Sequence, residues 1–102
     1  MRGPHPGGSS WISRERRIAI YVRDSWTCQV CLEPVLREHV QGDDRSPSLD
    51  HIEPQSHTLI PDHSDRNLRT ACLLCNNVRN DARLTDAEVR AIVAGRRYAL
   101  AL

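Results

Sequence analysis

Apolar positions come in short groups along this chain, and each group has a period that predicts an element. Ile18, Tyr21 and Val22 recur at helical spacing behind Ser13, a good capping residue, and Glu15 stands in the first turn. This predicts a helix over about residues 14–24 with those three side chains as its buried stripe. From Trp26 to Pro34 no period holds, and a tight knuckle is expected there. Residues 35–47 are loop, with turn formers concentrated from Gly42 to Pro47. Ser48 to Ile52 reads as a short strand ended by Pro54, residues 53–66 as a polar loop, and Asn67 to Ala71 as a second extended run. A helix follows over about residues 73–82. Thr85-Asp86-Ala87-Glu88 is a capping box that opens a last helix, which buries Val89, Ile92 and Val93 and stops at Gly95. Tyr98, Leu100 and Leu102 then pack back on the domain. The order is helix, knuckle, strand, loop, strand, helix, helix: a small α+β domain over residues 13–102 behind a disordered Gly-, Pro- and Ser-rich tail over 1–12.

Composition changes this picture in one respect. The chain has 102 residues, no Phe and only 4% aromatics, so its core is poor in bulky side chains and calls for a staple. Four Cys can supply it. No apolar run approaches the ~18 residues of a membrane span, and the first residues lack the apolar stretch of a signal peptide. A cytoplasmic protein with reduced thiols is therefore expected, one whose paired Cys bind metal. The net charge of +1 does not announce a nucleic-acid binder, but all 14 basic residues are Arg. The planar guanidinium can grip phosphate through two hydrogen bonds, although GC-rich coding also yields Arg in place of Lys.

Cys28-x-x-Cys31 and Cys72-x-x-Cys75 can present four thiolates to one tetrahedral Zn²⁺. All four ligands being protein atoms, such a zinc is structural. The gap between the pairs is longer than in a zinc ribbon, and Asp50-His51 lies within it. On the helix after the second pair, Asn76, Arg79, Asn80 and Arg83 share one side, with Leu74 and Val78 on the other. The Asp50 carboxylate and the Asn76 amide oxygen are hard ligands suited to Mg²⁺ or Mn²⁺. His51 can take a proton from water near neutral pH.

These motifs resemble the HNH endonucleases, in the small cysteine-bearing branch of the ββα-metal nucleases common in phages and bacteria. The resemblance is carried by Arg-Asp-x-Trp-x-Cys-x-x-Cys from Arg23 to Cys31 and Leu-Asp-His-Ile-x-Pro from Leu49 to Pro54. Asn67-Leu68 and Cys-x-x-Cys-Asn-x-x-Arg from Cys72 to Arg79 complete it. It implies a ββα-metal fold with a four-cysteine zinc knuckle and flanking helices, its core motif spanning about 23–83. It further implies His51 as general base, Asp50 and Asn76 as ligands of the catalytic metal, and Asn67 as the residue that holds the hairpin and orients His51. Asn76 stands where the family name calls for His. Arg79 looks like a phosphate clamp, with Arg83, Arg23, Arg16 and Arg17 as further DNA contacts and the helix over about 73–82 in the minor groove.

The activity implied is phosphodiester hydrolysis in DNA, leaving 5′-phosphate and 3′-hydroxyl ends, by nicking from a monomer or double-strand cleavage from a homodimer. A second reading is a zinc-stapled DNA-binding or adaptor module that acts with a guiding protein, such as a phage packaging terminase, without cutting alone. His57 and His63 lie in the polar loop, where either can assist the base; His5 and His39 are incidental. One difficulty is geometric: adjacent strand residues point to opposite faces, so Asp50 and His51 cannot both face one metal unless the strand bends or ends there.

Overall fold

In the computed structural model, which describes residues 12–52, 63–80 and 84–101, the Ser13 side chain accepts the Arg16 N–H at 3.1 Å and so caps helix α1 (Arg14–Arg23). Asp24 closes the helix. Ser25 and Trp26 then take φ of +56° and +51°, two consecutive left-handed residues that reverse the chain into the knuckle. A lone bridge between Thr27 and Pro34 and a bond from Cys28 N–H to the Glu33 carbonyl, 2.8 Å, pinch the knuckle shut. Strands β1 (Pro47–His51) and β2 (Leu68–Cys72) pair antiparallel, with Asp50 opposite Arg69 and His51 opposite Leu68. A single 3₁₀ turn over Asp65–Asn67 leads into β2. Helices α2 (Leu73–Arg79) and α3 (Asp86–Ala101) follow. This is the small α+β arrangement expected, with each strand displaced by one residue from its sequence-based bounds.

Side-chain alternation sends the two faces of the sheet to different partners. Leu49 and Leu68 face α1 and pack with Ile12 and Ile20. Ala71 faces the other way, into a second cluster with Cys28, Val30, Val35, Leu74, Val89 and Val93, which joins the knuckle to α2 and α3. The sheet is thus the middle layer between α1 and the α2–α3 pair. Trp26 packs against the second cluster, and the Asp24 carboxylate accepts the Thr70 N–H at 2.8 Å, so the Arg-Asp-x-Trp run welds α1 to β2 and the knuckle. Burial pushes the Asp24 carboxyl up, but hydrogen bonds from Arg23 and Thr70 outweigh it and hold the group below the usual carboxylate range.

Several sequence-based details are corrected. The buried face of α1 is Ile20 and Tyr21, while Ile18 and Val22 are 36% and 57% exposed, because the helix rests on β2 through its Arg16–Ile20–Arg23 side. Ile12, assigned to the tail, is buried beneath α1. Val89 and Val93 are buried as expected, but Ile92 is exposed. Helix α2 stops at Arg79, where Asn80 turns with φ +43°. Helix α3 does not stop at Gly95 but runs on to Ala101, since the Arg, Ala and Leu residues after the glycine favour helix. The side chains of Tyr98 and Leu100, and residues His57, Arg83 and Leu102, lie outside the described residues.

Gly95 is exposed, and a β-carbon added there would meet nothing within 4 Å. Gly95→Ala is therefore expected to stabilise the protein by about 0.5–1 kcal/mol, read as a raised melting temperature. An unchanged or lowered melting temperature would contradict the continuous helix.

Candidate active site and metal centre

The two Cys-x-x-Cys turns meet where β2 passes into α2. Cys31 N–H points at the Cys28 sulfur and Cys75 N–H at the Cys72 sulfur, each at 3.4 Å, so both turns are wrapped around their first cysteine. The four sulfurs lie within 4.8 Å of one another, and Cys28, Cys72 and Cys75 are fully buried. Tetrahedral coordination with metal–sulfur bonds of about 2.3 Å separates sulfurs by about 3.8 Å, so this cluster is positioned to close on one metal ion. Arg97, from α3, directs its two terminal nitrogens at the Cys31 and Cys72 sulfurs, at 3.6 and 3.7 Å.

About one helical turn further on, α2 presents Asn76 and Arg79 to β1. The Asn76 amide nitrogen donates to Ser48 Oγ at 3.1 Å and to the Leu49 carbonyl at 3.2 Å. That spends both N–H groups on the strand beside Asp50 and turns the amide oxygen away from them. Asp50 is buried, and its described contacts fall on one oxygen: Oδ2 accepts from Arg69 Nε at 2.8 Å and from Arg79 at 3.1 Å. Arg69 is its partner across the ladder, so register alone brings the two together. The Arg69 fork then grips Asp86, the first residue of α3, through two bonds of 2.8 Å. Arg79 reaches Asp86 at 3.5 Å and the Ile52 carbonyl at 3.0 Å. The Arg69 hydrogen bonds hold the Asp86 carboxyl below the usual carboxylate range, and Asp86 in turn raises the Arg69 guanidinium. Two arginines and two aspartates thus form a charge-balanced cluster between β1, β2, α2 and α3.

His51 projects from the other face of β1. Its Nε2 lies 2.9 Å from Nδ1 of His63, with the rings edge to face. The segment carrying His63 is held down by α1: Arg16 donates to Asp65 at 2.6 Å and to the His63 carbonyl, and Arg23 donates to the Asp65 and Leu68 carbonyls at 2.9 and 2.7 Å. Asn67 is buried, and its carbonyl accepts the Ile52 N–H at 2.8 Å, closing the hairpin beside His51.

The structure therefore gathers Asp50, Asn76 and Arg79 on one side of β1 and places His51 at its end with His63, while Asn67 ties the strand ends. The arginines expected at phosphates, Arg16, Arg23 and Arg79, spend guanidinium donors on the protein itself. Arg69 and Asp86 were not singled out by the sequence. Arg69 becomes visible only once the register is known, and Asp86 reads there as nothing more than a first-turn acid.

Comparison with known families identifies the chain. The model of the HNH endonucleases matches residues 28–82, just over half of the chain, from the first cysteine to a point three residues beyond Arg79. No curated protein and no solved structure matches the chain. With the paired-cysteine cluster, the two-stranded hairpin and the following helix all inside the matched stretch, the chain belongs to the HNH endonuclease family.

Proposed function

We propose that this protein is a metal-dependent DNA endonuclease in which His51 is the general base, Asp50 and Asn76 hold a catalytic Mg²⁺ or Mn²⁺, and the four cysteines hold a structural Zn²⁺. The observation that carries the reading is the setting of Asn76. With both amide N–H groups donated to β1, its oxygen is the atom left to meet a cation, beside a carboxylate whose described partners all fall on Oδ2. One carboxylate and one amide oxygen suit a hard cation that keeps waters and takes its other ligands from phosphate. Bound there, the cation would neutralise charge on the scissile phosphate and on the departing oxygen.

The strand alternation that looked like an obstacle fits this chemistry. In-line displacement puts the attacking and leaving oxygens on opposite sides of phosphorus. A base on one face of β1 and cation ligands on the other can serve the two sides, and His51 need not touch the metal. His51 would take the proton of the attacking water, its ring steadied by His63 and by the α1 arginines that pin that segment. Backbone contact with DNA falls to other arginines. Arg14 and Arg37 border a cleft of about 250 Å³ floored by Trp26 and Tyr21, where Arg37 stacks on the indole at 5.3 Å and can still offer its edge to phosphate.

Zinc in the cysteine cluster would carry four thiolates and a net charge of 2−, and Arg97 offsets part of it. Arg97→Met is expected to lose zinc about 10-fold more readily in a chelator competition, with the fold retained when zinc is in excess. Equal zinc retention would remove Arg97 from this role.

A second reading, a DNA-binding module that does not cut alone, draws support from the two guanidiniums that already neutralise Asp50. Supercoiled plasmid separates the two. The purified protein in Mg²⁺ or Mn²⁺ should relax the plasmid by nicking, EDTA should stop it, and His51→Ala should not nick. DNA binding without nicking by the parent, or equal nicking by parent and variant, would sink the catalytic reading.

A further inference from the structure

The Arg69 fork points away from the carboxylate it pairs with across the sheet. Its two terminal nitrogens go to Asp86 in a bidentate grip, 2.8 Å each, and only Nε is left for Asp50. A half-buried arginine directly opposite a carboxylate would otherwise present the fork to both oxygens, the strongest geometry open to it. Arg79 is also shared between Asp50 and Asp86. We propose that Asp86 is a positioning residue for the cation site: by holding the ends of Arg69 and Arg79, it confines them to one oxygen of Asp50 and keeps the other for a divalent cation.

This rests on the reading of Asp50 as a metal ligand, and adds a residue outside the stretch that matches the family, since that stretch ends at residue 82. Three features carry it. Charge is the first: two guanidiniums against Asp50 alone would leave a net positive centre where a cation must bind, and Asp86 restores balance. The second is placement. Asp86 does not wander, because the reciprocal capping bonds Thr85 N–H to Glu88 (2.8 Å) and Glu88 N–H to Thr85 Oγ (3.1 Å) fix the start of α3. The third is exposure: the Asp86 side chain is 36% exposed against 7% for Asp50, so the outer carboxylate can hold the arginines without itself being buried.

The test is Mn²⁺ affinity, measured by electron paramagnetic resonance of free Mn²⁺. It uses zinc-loaded protein bound to duplex DNA, in a His51→Ala background where nothing is cut. Asp86→Asn is expected to weaken Mn²⁺ binding about 10-fold. Adding Arg69→Met to Asp86→Asn should recover most of that loss, because the freed fork that would cover Asp50 is gone. A purely structural role predicts the opposite, a double variant no better than the single one. Asp86→Glu, which keeps the charge and the fold of the helix start, should bind Mn²⁺ nearly as the parent does. The proposal is overturned if Asp86→Asn binds Mn²⁺ like the parent, or if Arg69→Met brings no recovery. Asp50→Ala is the arm that separates the two ideas. If it too leaves Mn²⁺ affinity unchanged, the metal-ligand reading of Asp50 has failed; if it abolishes binding while Asp86→Asn does nothing, only the role of Asp86 has.

Discussion

Removing zinc from the cysteine cluster, or replacing Cys72 by Ser, is expected to unfold the protein. The cysteines are themselves core residues: Cys28, Cys72 and Cys75 are fully buried among Val30, Val35, Ala71, Leu74, Val89 and Val93, none of them large. The other cluster, under α1, is smaller still. Structural zinc contributes about 10–16 kcal/mol in comparable sites, against about 5–15 kcal/mol for the whole stability of a small domain. Among the described backbone hydrogen bonds, Gln29 N–H to the Thr70 carbonyl at 2.9 Å ties the knuckle to the sheet. Acid should have the same effect as chelation. Hydrogen bonding with Cys28 raises the Cys72 thiol to about 11 and pushes Cys75 further up, while the same bonds draw Cys28 well down. Zinc takes its ligands as thiolates, so its binding displaces the thiol protons, and zinc affinity falls on acidification. The check is far-UV circular dichroism with zinc analysis across a chelator series, with His51→Ala as a folded, zinc-bearing control. A Cys72→Ser protein that melts like the parent, zinc-free, would refute the staple.

Features set by near neighbours were legible in the sequence. Ser13 and the Thr85–Glu88 box cap the helices they were expected to cap, because a cap is decided within four residues. The cysteine pairs were legible because their spacing is itself the site. What could not be read was the fate of the arginines. Arg16 and Arg23 find acceptors 42 to 49 residues away, and Arg69 and Arg79 meet Asp50 only once β1 and β2 are in register. In one dimension an arginine that will hold a loop down looks the same as one that will meet a phosphate. The stripe of α1 went wrong for a related reason: Ile18, Ile20, Tyr21 and Val22 offer two apolar faces, and the choice between them is made by the sheet, through Leu68 and Leu49.

His51→Ala should lower the nicking rate by about 10²–10⁴, the usual contribution of a positioned general base, or about 3–5 kcal/mol of barrier. The loss should fall on the rate at saturating metal and DNA, because Asp50 and Asn76, the cation ligands proposed above, sit on the opposite face of β1 and keep their contacts. Folding should be little affected. His51 is only half-buried, and the ladder that carries it is held by backbone bonds and by the Asn67–Ile52 closure. Asn76→Ala should behave differently, raising the Mn²⁺ concentration needed for half-maximal nicking. It would also leave the Ser48 hydroxyl and the Leu49 carbonyl without their donor. Single-turnover nicking over a Mn²⁺ series tells the two variants apart. A His51→Ala protein whose lost rate returns with more metal would mean that His51 serves the cation and not the water, and the base would have to be sought at His63, 2.9 Å away.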